Sequence, residues 1–117
     1  MDKPIEIILL SQAEGFIDNL DESARKKLLH AMRKTIERLF GDWFKKLVGT
    51  DVIYEFRIDS NGKFYRLFAF WDSRWINQTL VVGTHGLIKK TNKHQNLKLK
   101  KQKILRINTS KEKYRRL

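Results

Sequence analysis

The chain has no cysteine, which excludes disulfides and thiolate chemistry. It has no apolar run near the roughly 20 residues that a membrane span needs. No signal peptide is predicted: Ile7 to Leu10 is a short apolar run behind acidic Asp2 and Glu6. A cytoplasmic protein with no membrane partner is the expectation. His30, His85 and His94 have neither His-x-x-His nor Glu-x-x-His spacing, so no metal site is expected, and no cofactor. There is no Gly-rich phosphate loop and no nucleophile elbow. A glycosidase-type pair of carboxylates would leave the basic charge unexplained.

Acidic residues are scarce at one end only. Lys and Arg number 25 against 13 Asp and Glu, a net charge of +12 on 117 residues. Residues 1–50 hold 9 basic and 8 acidic side chains, and residues 51–86 hold 4 and 4. Residues 87–117 hold 12 basic side chains and one acidic, Glu112, a net +11. The body is near neutral and the C-terminal end calls for a polyanion. Hydrophobic residues at 41% suit one modest core, hence one domain.

Pro4 to Leu10 reads as a first strand. Ser11 with Glu14 forms a capping-box pattern that opens a helix with Phe16, Ile17 and Leu20 on its apolar face. Asp21 is the N-cap of a second helix, with Leu28, Leu29, Met32, Ile36, Leu39 and Phe40 on one stripe. That helix is expected to reach about Phe40, with Gly41 just past its end. Trp43, Phe44 and Leu47 fall in a connecting segment. From Asp51 the period becomes two: Val52, Tyr54, Phe56 and Ile58 alternate with Ile53, Glu55, Arg57 and Asp59.

Asn61-Gly62 predicts a tight hairpin. Lys63 to Trp71 returns, Asp72-Ser73 turns, and Arg74 to His85 is a third strand. Gly83 and Gly86 predict a bend or close backbone approach at its end. Lys89 to Lys93 is a basic loop, and a terminal helix is expected over about Lys98–Ile107.

Two arginines stand out. Arg57 shares the polar side of its strand with Glu55, and Arg66 lies between Phe64 and Phe68. An arginine among aromatics is costly to bury unless it is paired or faces a ligand. A salt bridge to Glu55 or Asp59 is one reading, and a phosphate contact is the other. Tyr54, Tyr65, Phe70, Trp71 and Trp75 could stack on bases, though most of them are expected in the core. His30 is expected at the surface.

Three strings share a pattern: Val52-Ile53-Tyr54-Glu55-Phe56-Arg57-Ile58, Gly62-Lys63-Phe64-Tyr65-Arg66-Leu67, and Gly83-Thr84-His85-Gly86-Leu87-Ile88-Lys89-Lys90-Thr91-Asn92-Lys93. Together they resemble the HigB-like branch of the RelE/ParE toxins, over about residues 5–93. The resemblance implies a small α+β fold of order β-α-α-β-β-β-α, with an antiparallel sheet packed on two N-terminal helices. A basic C-terminal segment or helix, residues 94–117, would follow within the single domain 1–117.

The same resemblance implies the toxin half of a toxin–antitoxin pair, cutting mRNA on the ribosome and so inhibiting translation. Its partners would be a cognate antitoxin, the ribosome and mRNA. Arg57, Arg66, His85, Lys89 and Lys90 fall on the motif positions as catalytic candidates. Lys93, Tyr65, Lys98, Lys100 and Lys101 are the RNA-binding candidates. Such chemistry needs only a base, an acid and cations around a phosphate attacked by its own 2′-OH.

After Lys93 the pattern breaks. The family continues Thr-Pro and a mixed-charge helix, whereas this chain reads His94-Gln95-Asn96-Leu97-Lys98-Leu99-Lys100-Lys101-Gln102-Lys103. Codons for Thr-Pro-Lys-Ser-Glu-Ile-Glu-Lys-Ala-Glu, read one nucleotide out of phase, can give this string. A local frameshift is the expectation, which the gene's nucleotide sequence decides. Two other functions stand beside mRNA cleavage. A gyrase-inhibiting, ParE-like toxin would show no RNase activity and no dependence on Arg66. A decayed, non-catalytic nucleic-acid-binding module would show salt-dependent binding without growth arrest.

Overall fold

The computed structural model describes residues 3–90 and 114–117. Strand β1 (Ile5–Leu10) is buried almost throughout, because it runs inside the sheet rather than at an edge. Helix α1 (Ser11–Asp18) starts without a break. The expected capping box is absent: Ser11 is already helical, the N-cap position is Leu10, and no side chain caps the turn. Helix α2 (Glu22–Ile36) is capped as expected, the Ala24 N–H donating to Asp21 Oδ1 at 2.9 Å. Its buried stripe is Ala24, Leu28, Ala31, Met32 and Thr35, and His30 is exposed.

α2 stops at Ile36, short of the expected Phe40. Arg38 takes φ = 62°, its N–H bonds the Thr35 carbonyl, and the Leu39 N–H bonds the Lys34 carbonyl. That pair of bonds is a Schellman close, with an arginine where glycine is usual. A tether offsets the strain of an arginine there: Arg38 Nη1 donates to the Lys3 carbonyl at 2.9 Å. Gly41 has another task, since a side chain there would strike the Trp43 ring.

The remaining strands are β2 (Phe44–Lys46), β3 (Ile53–Ser60), β4 (Lys63–Asp72), β5 (Thr79–Lys89) and β6 (Tyr114–Arg116). β2 lies where a plain connection was expected. The sheet order is β2-β3-β4-β5-β1-β6. The architecture is a small RelE-like α+β fold. Its sheet is mixed rather than wholly antiparallel, because β1 pairs with β5 in parallel register. Strands so far apart in sequence are joined by crossovers, and the two helices supply the first. Both helices cover one face. Ile7, Leu9, Ala13, Ile17, Leu28, Met32, Phe56, Leu67 and Val81 meet in that core. The expected terminal helix over Lys98–Ile107 and the stretch where a frameshift is expected lie outside the described residues.

The Asn61-Gly62 hairpin forms as read, with φ of 52° and 75° at its two turn residues. The third meander strand begins at Thr79 rather than Arg74, because Asp72 draws the intervening residues into a loop. Asp72 Oδ1 accepts from Arg74 N and Nε, and Oδ2 accepts from Arg74 Nη2 and Trp75 Nε1. β5 then runs past His85 to Lys89. Opposite it, Ala69 pairs with Gly83 but Phe68 pairs with His85, so Thr84 is an extra residue in a β-bulge. Its hydroxyl donates to the Phe68 carbonyl at 3.2 Å. The bulge flips the side-chain alternation of everything beyond it.

Candidate functional site

The bulge decides which face the basic end of β5 presents. Gly83 lies over the helical core, against Leu9 and Ala13. Unbroken alternation would send His85, Leu87 and Lys89 to that same side. Because Thr84 is inserted, those three side chains turn to the face away from the helices. Gly86 turns inward, where the Phe16 ring leaves no room for a side chain.

On that face the register is explicit. Arg57 stands directly opposite Arg66, Lys45 opposite Glu55, Phe68 opposite His85, and Phe64 opposite Lys89. Directly opposed residues have Cβ atoms about 5 Å apart. Lys45, Arg57, Arg66 and Lys89 therefore share one surface with Glu55 and Asp59. Four of the five catalytic candidates come together there: Arg57, Arg66, His85 and Lys89. The fifth, Lys90, is exposed just past the end of β5.

Arg66 is the deepest of them, 2% exposed. Its Nη1 donates to the Tyr65 carbonyl at 2.9 Å and to the Ile58 carbonyl at 3.4 Å, and lies 3.6 Å from Asp59 Oδ1. The Phe64 ring centroid lies 5.7 Å from its guanidinium carbon. Burial, then the charge of Arg57, push the Arg66 pKa below the ordinary arginine value. Arg57 keeps more contact with solvent and pairs with Glu55, Nε to Oε1 at 3.5 Å. Both expected salt-bridge partners are thus present, at distances too long for strong hydrogen bonds.

Lys89 is 8% exposed. Burial lowers its pKa most, Arg66 and Arg57 lower it further, and Glu55 works the other way. His85 is also nearly buried, its ring 4.9 Å from the Phe68 ring. Its Nδ1 is hydrogen-bonded to Thr84 Oγ1 at 3.0 Å. With the Thr84 hydroxyl hydrogen donated to Phe68, Thr84 Oγ1 is left to accept from a protonated Nδ1, which orients the ring. An ammonium with a lowered pKa, an oriented imidazole and two guanidiniums are the parts that move protons and stabilise a phosphoryl dianion.

Arg57 and Arg66 open into a polar cleft of about 450 Å³, whose other walls are Asp42, Trp43, Lys45, Ile58 and Asp59. Asp42, Trp43 and Lys45 escaped the sequence reading because β2 did. The signal was there: Phe44 is apolar between Trp43 and Lys45-Lys46, as an edge strand would be. Glu55 was read only as a salt-bridge partner, yet its side chain is 10% exposed among the cations.

Tyr65 does not join the site. It is buried on the helix side, its hydroxyl 3.4 Å from Asp21 Oδ2, so its ring is not presented to a base. Its neighbour Arg66 takes the opposite face, as adjacent strand residues must. Lys93, Lys98, Lys100 and Lys101 lie outside the described residues. Among the described residues no cluster of His, Cys, Asp and Glu could hold a metal ion. No helix among them is long and apolar enough to cross a membrane.

Fold and face together define a small RelE-like α+β protein with a partly buried arginine pair on its sheet. More particularly, the chain belongs to the family described as Phage derived protein Gp49-like (DUF891), which matches residues 15–112. That family is RelE- and toxin-like, is associated with the toxins of toxin–antitoxin pairs, and implies an antitoxin partner. No curated protein and no solved structure matches the chain.

Proposed function

We propose that the protein is a HigB-like toxin of a type II toxin–antitoxin pair and cuts messenger RNA on the ribosome. The observation that carries this reading is the pair of directly opposed arginines, one almost fully buried, with Lys89 and His85 turned onto the same face by a bulge. Two like charges facing each other are unfavourable; Glu55 and Asp59 offset this in part, and an anion between the two arginines would offset more. A phosphodiester is an anion of that size.

In the reaction, the RNA 2′-oxygen attacks the adjacent phosphorus as its proton leaves. The bond from phosphorus to the 5′-oxygen breaks, and that oxygen takes up a proton. The products are a 2′,3′-cyclic phosphate and a 5′-hydroxyl end. Arg57 and Arg66 stabilise the dianionic phosphorane, while His85, Lys89 and Lys90 move the protons. The basic stretch 87–117, with Lys93, Lys98, Lys100 and Lys101, supplies sequence-independent contacts to RNA phosphates. The whole chain acts as one toxin domain in the cytoplasm, silenced by an antitoxin that is acidic or carries a helix-turn-helix.

Primer extension on a reporter mRNA in a reconstituted translation system, with and without ribosomes, tests this. Ribosome-dependent cuts made by the wild type and lost in Arg66→Ala are expected. Normal translation with no cuts would overturn the reading and point to gyrase inhibition or an inactive toxin.

A further inference from the structure

We propose that the cleft beside the arginine pair is a base-reading pocket with a preference for guanine, and that Asp42 and Lys45 are its readers. The inference rests on the RNA-cleaving reading for its phosphate, and adds the base. The cleft runs from Arg66 and Arg57 at one end to Asp42, Trp43 and Lys45 at the edge of the sheet. Lys45 is opposite Glu55, two residues from Arg57, so it is a diagonal neighbour of Arg57. The backbone positions of such neighbours are about 7–8 Å apart, and both side chains line the same cleft. At about 450 Å³ the cleft has room for one nucleotide.

The reading chemistry follows from the two side chains. Lys45 Nζ lies 3.2 Å from Asp42 Oδ1, and their side chains are 50% and 97% exposed. An ion pair this exposed contributes little and exchanges partners cheaply. It sets a donor beside a two-oxygen acceptor. Guanine's Watson–Crick edge offers the complement: one acceptor, O6, beside two donors, N1–H and N2–H. A carboxylate takes both donors while the ammonium takes O6. Adenine and cytosine offer the carboxylate one donor and then a repelling lone pair. Uracil offers one donor between two acceptors. Single-stranded RNA presents these edges, so the pocket can read them.

Trp43 walls the same cleft. Its ring packs close to the Gly41 backbone and the Lys34 ammonium lies 3.6 Å from the ring centroid, so these contacts hold it in place as a wall of the cleft. Its indole N–H is buried and has no hydrogen-bond partner among the described residues.

The four nucleoside 3′-monophosphates are the probes, titrated calorimetrically into the full-length chain. 3′-GMP should bind about five- to tenfold more tightly than 3′-AMP, the lower part of the range for one bidentate contact. Asp42→Asn should bring the four affinities together while phosphate-driven binding persists. Equal affinities in the wild type, or a guanine preference that survives Asp42→Asn, would overturn the inference. Asp42 is almost fully exposed, so its amide variant keeps the fold. Mapping cuts on mRNA separates the two readings. Ribosome-dependent cuts without guanine preference would refute the pocket and leave the nuclease. A guanine preference in binding without any cuts would refute the nuclease and leave the pocket.

Discussion

Arg66 should be a residue that costs the protein stability, and Arg66→Met measures that cost. The guanidinium is 2% exposed, and the effective penalty for burying such an ion is several kcal/mol. Arg57 adds to it. Its charge lowers the Arg66 pKa, a repulsion that burial leaves poorly screened. Among the contacts that stand against this are the attraction of Glu55, one good hydrogen bond to the Tyr65 carbonyl, a long one to Ile58, and Asp59. Hydrogen bonds from a charged group contribute about 1.5–3 kcal/mol each, and the 3.4 Å bond to Ile58 belongs at or below the low end. Asp59 is 67% exposed, so solvent screens its attraction to about 1 kcal/mol or less.

The costs exceed the gains. Methionine is unbranched, fills a similar volume and carries no charge, so Arg66→Met should stabilise the fold by about 1–2 kcal/mol. For a chain of this length that is a rise of several degrees in Tm. Thermal and urea unfolding followed by circular dichroism read it, alongside the cleavage assay. The expected variant is more stable and inactive. A Met variant that unfolds at least 1 kcal/mol more easily than wild type would refute this account and make Arg66 a structural residue.

Three further outcomes are expected. Glu55 holds the Lys89 pKa up against burial and the two arginines, so Glu55→Gln should move the side-chain NMR titration of Lys89 to lower pH; no shift, or a rise, would show that the two groups do not interact. Asp72 has its pKa lowered chiefly by its bonds from Arg74, so its stabilisation is present above the unfolded value of about 3.9 and is lost as pH falls through the folded one. Asp72→Asn should therefore lower Tm at neutral pH and flatten the loss of Tm below about pH 4; parallel curves for variant and wild type would contradict it. Gly86→Ala should cost about 1–3 kcal/mol through its clash with the Phe16 ring, read by urea unfolding, and a neutral result would mean that α1 yields.

Much of the candidate site is legible in the sequence itself. A two-residue Asn61-Gly62 turn makes Ser60 face Lys63, and counting back along both strands makes Arg57 face Arg66. Local backbone preference alone enforces that register, because both turn residues need positive φ. The Asp21 cap and the α2 stripe are likewise local: a side chain one turn from its acceptor, and a period matching the helix. The concentration of charge in residues 87–117 is composition alone.

Other features depended on residues far apart in the chain. β1 runs between β5 and β6 because its apolar residues are buried on both faces, and no local pattern names its neighbours. β2 is too short to declare a period. α2 closes at Arg38 because the Lys3 carbonyl, 35 residues away, receives its guanidinium. The decisive case is Thr84. Alternation along Gly83-Thr84-His85 says nothing of a bulge. It forms where the Thr84 hydroxyl meets the Phe68 carbonyl and Phe16 packs onto Gly86. One inserted residue reverses the parity of the strand, so packing from another helix carries His85 and Lys89 to the arginines instead of into the core.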